Sequence, residues 1–297
     1  MNIIKNTIYI LLMLVCASAM AEKPLLIGIL EEPACKRDGQ RALRPLFTKK
    51  DTEWVALDNK VIAASYKMER VVWTAAFDGK NLGQVISHDP KINITPDWTY
   101  PRDYLHNLDT EKLLPQIMNK AGAFSAWCGG LPKYFPIVMV SKPYYSDPEK
   151  WKRSQPDSDD RKLLFSAFQK SFRSLCVIKS KKTTPYLVAP YKSGDLHILD
   201  FYKSTNDHKV ASVSIGEGYY ECDKADSPSH GDDNRRVFYV GEGARYLGSD
   251  LTLVDAGDYD NDGKSEVLFW YDAYNRNGYV LFYDGFSKRA DFIWGYH

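Results

Sequence analysis

Short apolar runs rich in β-branched and aromatic residues recur along this chain, and tight-turn signals separate them. Residues 71–77 form one such run, Asp78-Gly79 follows, and residues 82–86 form the next. Asp-Gly between two apolar runs is a strong short-range signal for a β-hairpin. A second pair of runs, around 196–201 and 210–215, flanks the polar residues 204–207. The pattern predicts an all-β protein built from hairpins.

The end of the chain continues this pattern. Residues 266–274 and 279–283 flank the turn-forming sequence 275–278, and a last apolar run, 292–296, follows Asp284-Gly285. Asn and Gly in such positions indicate turns. The sequence therefore predicts three strands connected by two turns after residue 266.

Two segments interrupt the strands with a helical pattern. Over residues 159–175 the apolar side chains recur at the helical period, and Ser158 or Asp159 can cap the N-terminus. The second segment is 109–120, where Pro115 must break a helix or begin one. We expect two short helical insertions packed on the sheets.

The segment 143–156 is polar and proline-rich, and it reads "PYYSDPEKWKRSQP". Such a composition between periodic segments is typical of a surface loop. Trp151 is accordingly the tryptophan that we expect to be most exposed.

Residues 1–21 have the composition of a secretory signal peptide. Lys5 supplies a positive n-region, residues 8–15 an apolar run, and Ala19-Met20-Ala21 a small-x-small cleavage site. The apolar run is shorter than the roughly 20 residues that span a bilayer. We therefore expect cleavage and export of a single β-rich domain, residues 22–297, to the periplasm or the exterior, with no membrane span after signal removal.

Charge and cysteine content restrict the partners and the compartment. Removal of the signal removes Lys5 from the 39 basic residues, which leaves 38 basic against 38 acidic side chains. This balance argues against a nucleic-acid partner. An even number of cysteines in an exported chain favours two disulfides, with three pairings open. The cysteines are Cys35, Cys128, Cys176 and Cys222.

An acidic loop carries the strongest functional signal. The loop begins at Asp258, which is position 1, and reaches Glu266 at position 9. Its side-chain ligands would stand at positions 1, 3, 5 and 9, and position 7 would offer its backbone carbonyl. Gly263, at position 6, permits the sharp turn. Like charges this close repel by about 1 kcal/mol per pair in water, and a bound Ca²⁺ removes that cost. The alternative is a solvated acidic turn. The predicted metal ligands are Asp258, Asp260, Asp262, Lys264 and Glu266.

This loop differs from an EF-hand, because position 12 is Phe269 and the residues that follow favour a strand. The sequence "GDYDNDGKSEVLFW" resembles the calcium loop of FG-GAP and VCBS-type repeats, which occur in the β-propellers of integrin α-subunits and of exported bacterial proteins. The family usually has Asp where this chain has Glu266. The resemblance implies a repeat at about 251–297 and a β-propeller-like architecture; a β-sandwich that carries the same loop is the alternative.

No motif in the chain identifies a reaction. Neither a G-x-S-x-G elbow nor an H-E-x-x-H zinc motif occurs. We expect a binding or structural role, with an unidentified protein or carbohydrate as the ligand. A glycoside or ester hydrolase with its site on the loops of the same scaffold is the alternative, since the geometry of an acid pair is set by the fold.

Overall fold

The computed structural model of the protein describes the backbone of most of the chain after residue 23. For residues 175–180, 187–190 and 219–221 the structure describes the backbone only. The predicted signal peptide lies outside the described residues, and so do the side chains of the four cysteines predicted to form disulfides. The described residues are 24–32, 41–57, 70–88, 114–119, 132–172, 175–180, 187–190, 192–214, 219–221, 235–273 and 275–295.

The first six described strands form one antiparallel sheet, which we call the N-terminal sheet. In chain order they are β1 (Leu26–Glu31), β2 (Ala42–Lys50), β3 (Glu53–Ala56), β4 (Val72–Phe77), β5 (Lys80–Ile86) and β6 (Ile137–Val140). Their spatial order is β3-β2-β1-β6-β4-β5. Asp78 and Gly79 have φ of 49° and 71°, the left-handed values that a tight hairpin turn requires. The hairpin predicted at Asp78-Gly79 is therefore confirmed.

The next part of the chain supplies two further sheets and a helix. The elements are β7 (Lys152–Arg153), α1 (Ser158–Ser171), β8 (Leu175–Ser180), β9 (Leu187–Pro190), β10 (His197–Lys203), β11 (Lys209–Ser214), β12 (Tyr219–Glu221), β13 (Arg235–Val240) and β14 (Ala244–Ser249). The middle sheet has the order β14-β13-β11-β10-β7, and a small sheet has the order β12-β8-β9. The predicted hairpin across residues 204–207 is confirmed by the pairing of β10 with β11.

Helix α1 lies close to where the apolar period predicted it, with different ends. The side chain of Asp157 accepts hydrogen bonds from the backbone N–H of Asp159 (2.9 Å) and Asp160 (2.8 Å), so Asp157 is the N-cap. The helix ends at Ser171, and Leu175 instead begins β8. Within the described residues, no helix combines the length and apolar character needed to cross a membrane.

The second predicted helix, 109–120, is wrong over the part that the structure describes. Met118 forms an isolated antiparallel bridge with Tyr134, and residues 114–119 contain no helical turn. Pro115 precludes an interior helical hydrogen bond here, which favours the extended course. Residues 109–113 lie outside the described ranges.

Most residues of the segment 143–156 are exposed, as a surface loop requires, but Tyr145, Glu149, Trp151 and Pro156 are buried. Trp151 is 8% exposed, and its indole N–H donates to Glu149 at 2.9 Å. Its ring contacts Phe286 edge-on at 5.9 Å. Short strand β7 follows directly and pairs with β10. The expectation of an exposed Trp151 is wrong, because contacts from distant strands bury the apolar body of the side chain.

The last four strands form the C-terminal sheet, an antiparallel meander. They are β15 (Leu251–Gly257), β16 (Glu266–Ala273), β17 (Arg276–Tyr283) and β18 (Lys288–Gly295). The turn between β16 and β17 is earlier than predicted, since Ala273 already pairs with Arg276. Gly278 lies inside β17, where a Cβ would stand 2.3 Å from the carbonyl oxygen of Phe292. Gly278 therefore permits close strand packing and does not form the turn.

The C-terminal sheet is buried on both faces. In β16, Leu268 and Trp270 pack in a core shared with the N-terminal sheet. Val267 and Phe269 point the other way, into a core shared with the middle sheet. Alternate residues of a strand face opposite sides, so burial of both faces requires the continuous apolar run seen here. On its far face the middle sheet packs against α1 through Leu164 and other apolar side chains.

A buried polar contact ties the N-terminal sheet to the C-terminal sheet. The Nε of Arg44 donates to Oε1 of Glu31 at 2.7 Å, and both side chains are almost fully buried. The hydroxyl of Tyr279 donates to the other oxygen of Glu31. The guanidinium of Arg44 also lies 5.0 Å from the ring centre of Trp294. Strands β1 and β2, which carry Glu31 and Arg44, are therefore held directly by β17 and β18.

Candidate functional site

The predicted metal loop connects β15 to β16 and is held by the segment 145–147. The backbone N–H of Asp258 donates to the carbonyl of Ser146 at 2.9 Å. The rings of Tyr145 and Tyr259 stack with their centres 5.9 Å apart. The hydroxyl of Ser265 donates to Asp147 at 2.7 Å. These contacts fix both ends of the loop, so its shape depends on tertiary structure as well as on its own turns.

Three of the predicted ligands converge. One carboxylate oxygen from each of Asp258, Asp260 and Asp262 lies within 4.8 Å of the others. Asp258 accepts from the N–H of Asp262 (3.1 Å) and of Gly263 (2.9 Å), which folds the loop back on its first residue. Gly263 has φ of 88°, so the turn uses a conformation that glycine adopts without strain. The spacing predicted from sequence thus brings three carboxylates to one point.

Glu266 is placed differently from these three residues. Its side chain is 3% exposed, and Oε2 accepts a hydrogen bond from the N–H of Tyr259 at 2.7 Å. Burial, and then the negative charge of Asp260, raise the pKa of Glu266 to about 8. With no metal ion bound, this raised pKa favours the protonated form of the carboxyl group at neutral pH, although the charge of Lys49 opposes the shift. A bound cation would favour its ionised form.

The remaining predicted ligand, Lys264, has contacts at two of its donors. Its backbone N–H donates to Asp262 at 2.8 Å, and its Nζ pairs with Asp284 at 3.1 Å. These contacts leave its predicted role, donation of the backbone carbonyl to a metal, untested. Lys264 nevertheless stiffens the loop between the third acidic residue and β16.

Two lysines from the N-terminal sheet region contact the loop. Lys49 Nζ lies 2.5 Å from a carboxylate oxygen of Asp260, and Lys142 Nζ donates to the backbone carbonyl of Asp260 at 2.5 Å. These ammonium groups offset part of the negative charge. A cleft of about 820 Å³ adjoins the loop, and both lysines, Asp262 and Glu266 line it. The cleft therefore opens onto Asp260, Asp262 and Glu266.

The chemistry of the loop suits a hard cation. Its converging donors are carboxylate oxygens, which Ca²⁺ and Mg²⁺ prefer, while sulfur and imidazole donors favour other metals. The prediction of Ca²⁺ rests on the loop sequence and its spacing.

A separate cavity of about 570 Å³ lies where three sheets meet. We call it the three-sheet cavity. The described residues that line it are Phe77, Asp78, Gly79, Phe135, Trp151, Lys152, Arg153, Leu199, Asp200, Tyr202, Arg235, Thr252, Leu253, Val254, Asp255 and Ala256. They come from the turn between β4 and β5, from the segment before β6, and from β7, β10, β13 and β15.

Asp255 is the buried carboxyl group in the wall of this cavity. It accepts from the N–H of Asp78 and from the hydroxyl of Tyr145, each at 3.1 Å. Burial raises the pKa of Asp255 to about 7, against the opposing effect of these hydrogen bonds. Asp255 stands three residues before Asp258, so β15 contributes to both the cavity and the acidic loop.

Sequence reasoning found the loop and missed the three-sheet cavity. The loop ligands are local, so their spacing is visible in the sequence. The cavity residues are far apart in the chain, and Arg153 lies in the segment 143–156 that the sequence predicts as a surface loop, so no local signal indicates the cavity.

Comparison with known proteins gives no match: no protein-family model, no curated protein and no solved structure matches this chain.

Proposed function

We propose that this protein is an exported calcium-binding β-repeat protein with a binding role outside the cytoplasm. The observation that carries the proposal is the convergence of Asp258, Asp260 and Asp262 within 4.8 Å in a turn that Gly263 permits. The regular spacing supports Ca²⁺ as the ion, with Glu266 and the Lys264 carbonyl as further ligands. Export rests on the signal-like residues 1–21. The FG-GAP or VCBS-like repeat is proposed from the loop and the meander that follows it.

We further propose that the sheets are arranged around an axis, as the blades of a β-propeller. The support is the packing order: the C-terminal sheet has the N-terminal sheet on one face and the middle sheet on the other. In a closed propeller ring the last blade packs between the first blade and the blade that precedes the last one in the chain. A β-sandwich needs only two packed sheets, whereas three described sheets pack in succession here.

Calcium-dependent stability tests the metal proposal. Extracellular calcium modules bind at roughly 10⁻⁴ to 10⁻³ M, so calcium at 10 to 100 times that Kd adds about 1.4 to 2.7 kcal/mol to the free energy of unfolding. Thermal unfolding of the purified protein in calcium, in magnesium and in excess chelator measures this gain. We expect the melting temperature to rise by several degrees in calcium and by less in magnesium.

Asp262→Asn is the most informative variant for this experiment. The amide oxygen can still accept the hydrogen bond that Lys264 N–H donates to Asp262, and it remains a neutral, weaker ligand for Ca²⁺, so the substitution removes one negative charge from the site. The matched control is Asp291→Asn, since Asp291 is exposed and lies on β18, away from the loop. The calcium shift should fall in the first variant and stay in the second. An equal shift in both variants would refute the proposed ligand set.

A hydrolase is the second candidate, and one observation favours it. The three-sheet cavity contains a carboxyl group, Asp255, whose pKa is raised to about 7 by burial. A protonated carboxyl group at neutral pH can act as a general acid. Incubation of the protein with disaccharides, followed by chromatography of the products, separates this candidate from binding alone. Release of monosaccharides that Asp255→Asn abolishes would establish hydrolysis.

A further inference from the structure

We propose that the three-sheet cavity binds a short, uncharged saccharide. This inference rests on the proposed binding role, and it assigns that role a location and a class of ligand. The cavity has a volume of about 570 Å³, which lies within the range of small-molecule sites, roughly 300–1,000 Å³. Its lining combines hydrogen-bonding groups with apolar and aromatic surfaces. A sugar offers hydroxyl groups at its rim and C–H groups on its ring faces, so it matches both kinds of lining.

The polar groups of the cavity come from three sheets and are held by one another. Arg153 and Asp200, on neighbouring strands β7 and β10, pair at 2.5 Å. Arg235 donates to the hydroxyl of Thr252 at 2.8 Å, which connects the middle sheet to β15. A guanidinium carries five N–H donors, and each of these contacts uses only one of them. The remaining donors and the carboxylate oxygens are suited to the paired hydroxyl groups of a sugar.

Tyr202 lines the same cavity and stands opposite Arg153 in the pairing of β7 with β10. Burial raises the pKa of its phenol, and the charges of Asp200, Arg153, Arg235 and Asp78 also act on it. Among the described residues, no hydrogen bond involves the Tyr202 hydroxyl. A partly buried phenol of this kind can both donate to and accept from a ligand hydroxyl.

Aromatic and aliphatic side chains supply the apolar part of the cavity. Phe77 and Phe135 meet edge-on with ring centres 5.6 Å apart. Leu199 is 39% exposed although it is large and apolar, and Trp151 forms part of the wall. Such a surface gains free energy when it covers the C–H face of a sugar ring.

The charge of the lining favours an uncharged ligand. The cations Lys152, Arg153 and Arg235 face the carboxyl groups of Asp78, Asp200 and Asp255, and burial raises the pKa of Asp255 to about 7, so this group carries only part of its charge at neutral pH. An anionic ligand would need a strong positive excess, and a cationic ligand would need a negative one. The described lining residues carry at most a small positive net charge. The cavity therefore fits a ligand recognised by hydrogen bonds and packing without net charge.

Ligand-observed saturation-transfer NMR with the full chain tests this inference. The probes are cellobiose, maltose and N,N′-diacetylchitobiose, with succinate as the anionic probe, each at millimolar concentration. We expect transfer to at least one disaccharide and none to succinate. Transfer to succinate alone, or to none of the probes, would overturn the proposal.

Two variants locate the binding site. Tyr202→Phe removes one hydroxyl and keeps the ring, and Arg235→Gln removes the fork of donors. Each should weaken disaccharide binding by about 3- to 10-fold, the equivalent of one net hydrogen bond. Tyr144→Phe is the matched control, because Tyr144 is 63% exposed and lies outside the cavity. Melting temperatures confirm that the variants fold, and binding that is unchanged in both Tyr202→Phe and Arg235→Gln would contradict the assigned site.

Measurement in calcium and in chelator separates this inference from the calcium proposal. If disaccharide binding is seen and calcium gives no thermal shift, the metal proposal fails and the saccharide site stands. If calcium stabilises the protein and no disaccharide binds, the saccharide site fails and the metal proposal stands.

Discussion

The variant Asp255→Asn should make the stability of the protein less dependent on pH. Asp255 is 6% exposed, and its two oxygens accept hydrogen bonds from Asp78 N–H and the Tyr145 hydroxyl. Burial nevertheless raises its pKa from 3.8 to about 7. An asparagine has almost the same shape but cannot ionise. Its amide oxygen can accept from Asp78 N–H, and its amide NH2 can donate to the Tyr145 oxygen while the Tyr145 hydroxyl donates to the carbonyl of Ala256. The substitution therefore removes a titrating group while most of the packing remains.

The sign follows from where the carboxyl group ionises. In the unfolded chain Asp255 loses its proton near pH 3.8, and in the folded protein it loses it near pH 7. The folded state therefore binds more protons between these values. The stabilisation from this difference is complete below about pH 4 and is lost as the pH rises through 7. A shift of about three units corresponds to roughly 4 kcal/mol, at 1.36 kcal/mol per unit.

Urea unfolding at a series of pH values between 4 and 8 measures this effect. The difference in free energy of unfolding between the parent and Asp255→Asn should change by several kcal/mol across the series, with the parent losing more as the pH rises. Glu266 also has a raised pKa, but it is present in both proteins and cancels in the difference. Asp291→Asn, an exposed substitution, should show a nearly constant difference from the parent. A constant difference for Asp255→Asn as well would refute the argument from burial.

Two further substitutions test the packing of the C-terminal sheet. Gly278→Ala would place a Cβ 2.3 Å from the carbonyl oxygen of Phe292, so we expect a loss of about 1–3 kcal/mol in urea unfolding, and a neutral result would contradict the close approach. Tyr279→Phe removes the hydroxyl that bonds to buried Glu31, and it should cost about 1–3 kcal/mol because the carboxylate loses a donor. Tyr144→Phe, at an exposed position, serves as the control for both and should stay within about 0.5 kcal/mol of the parent.

The sequence predicted elements whose cause is local. The turn at Asp78-Gly79 has the positive φ values that the residue types favour, and α1 follows the apolar period over most of its length. Prediction failed where a distant contact decided the outcome. Gly278 was expected in a turn, and it lies inside β17 because the adjacent strand passes too close for a side chain. Trp151 was expected at the surface, and Phe286, from the turn between β17 and β18, packs against it and holds it inside.

The candidate sites show the same difference between features with a local cause and features that depend on distant contacts. The acidic loop is a run of nine residues, 258–266, and its spacing already specified which carboxylates can converge. Lys49 and Lys142, which contact Asp260, come from more than 100 residues away. The local sequence around these two lysines does not indicate a contact with Asp260. The three-sheet cavity likewise draws on segments that only folding brings together.

The sequence by itself determined the β-rich character of the chain, its hairpin turns, the position of α1 and which three loop carboxylates can converge. These features depend on interactions between residues close in the chain, so residue type and spacing specify them. The tertiary structure alone decided which sheets pack on each other, how Arg44 and Glu31 join the first and last sheets, and which side chains line the cavity. Burial, close approach and the pKa of Asp255 depend on what surrounds each residue in space, and those surroundings come from distant parts of the chain.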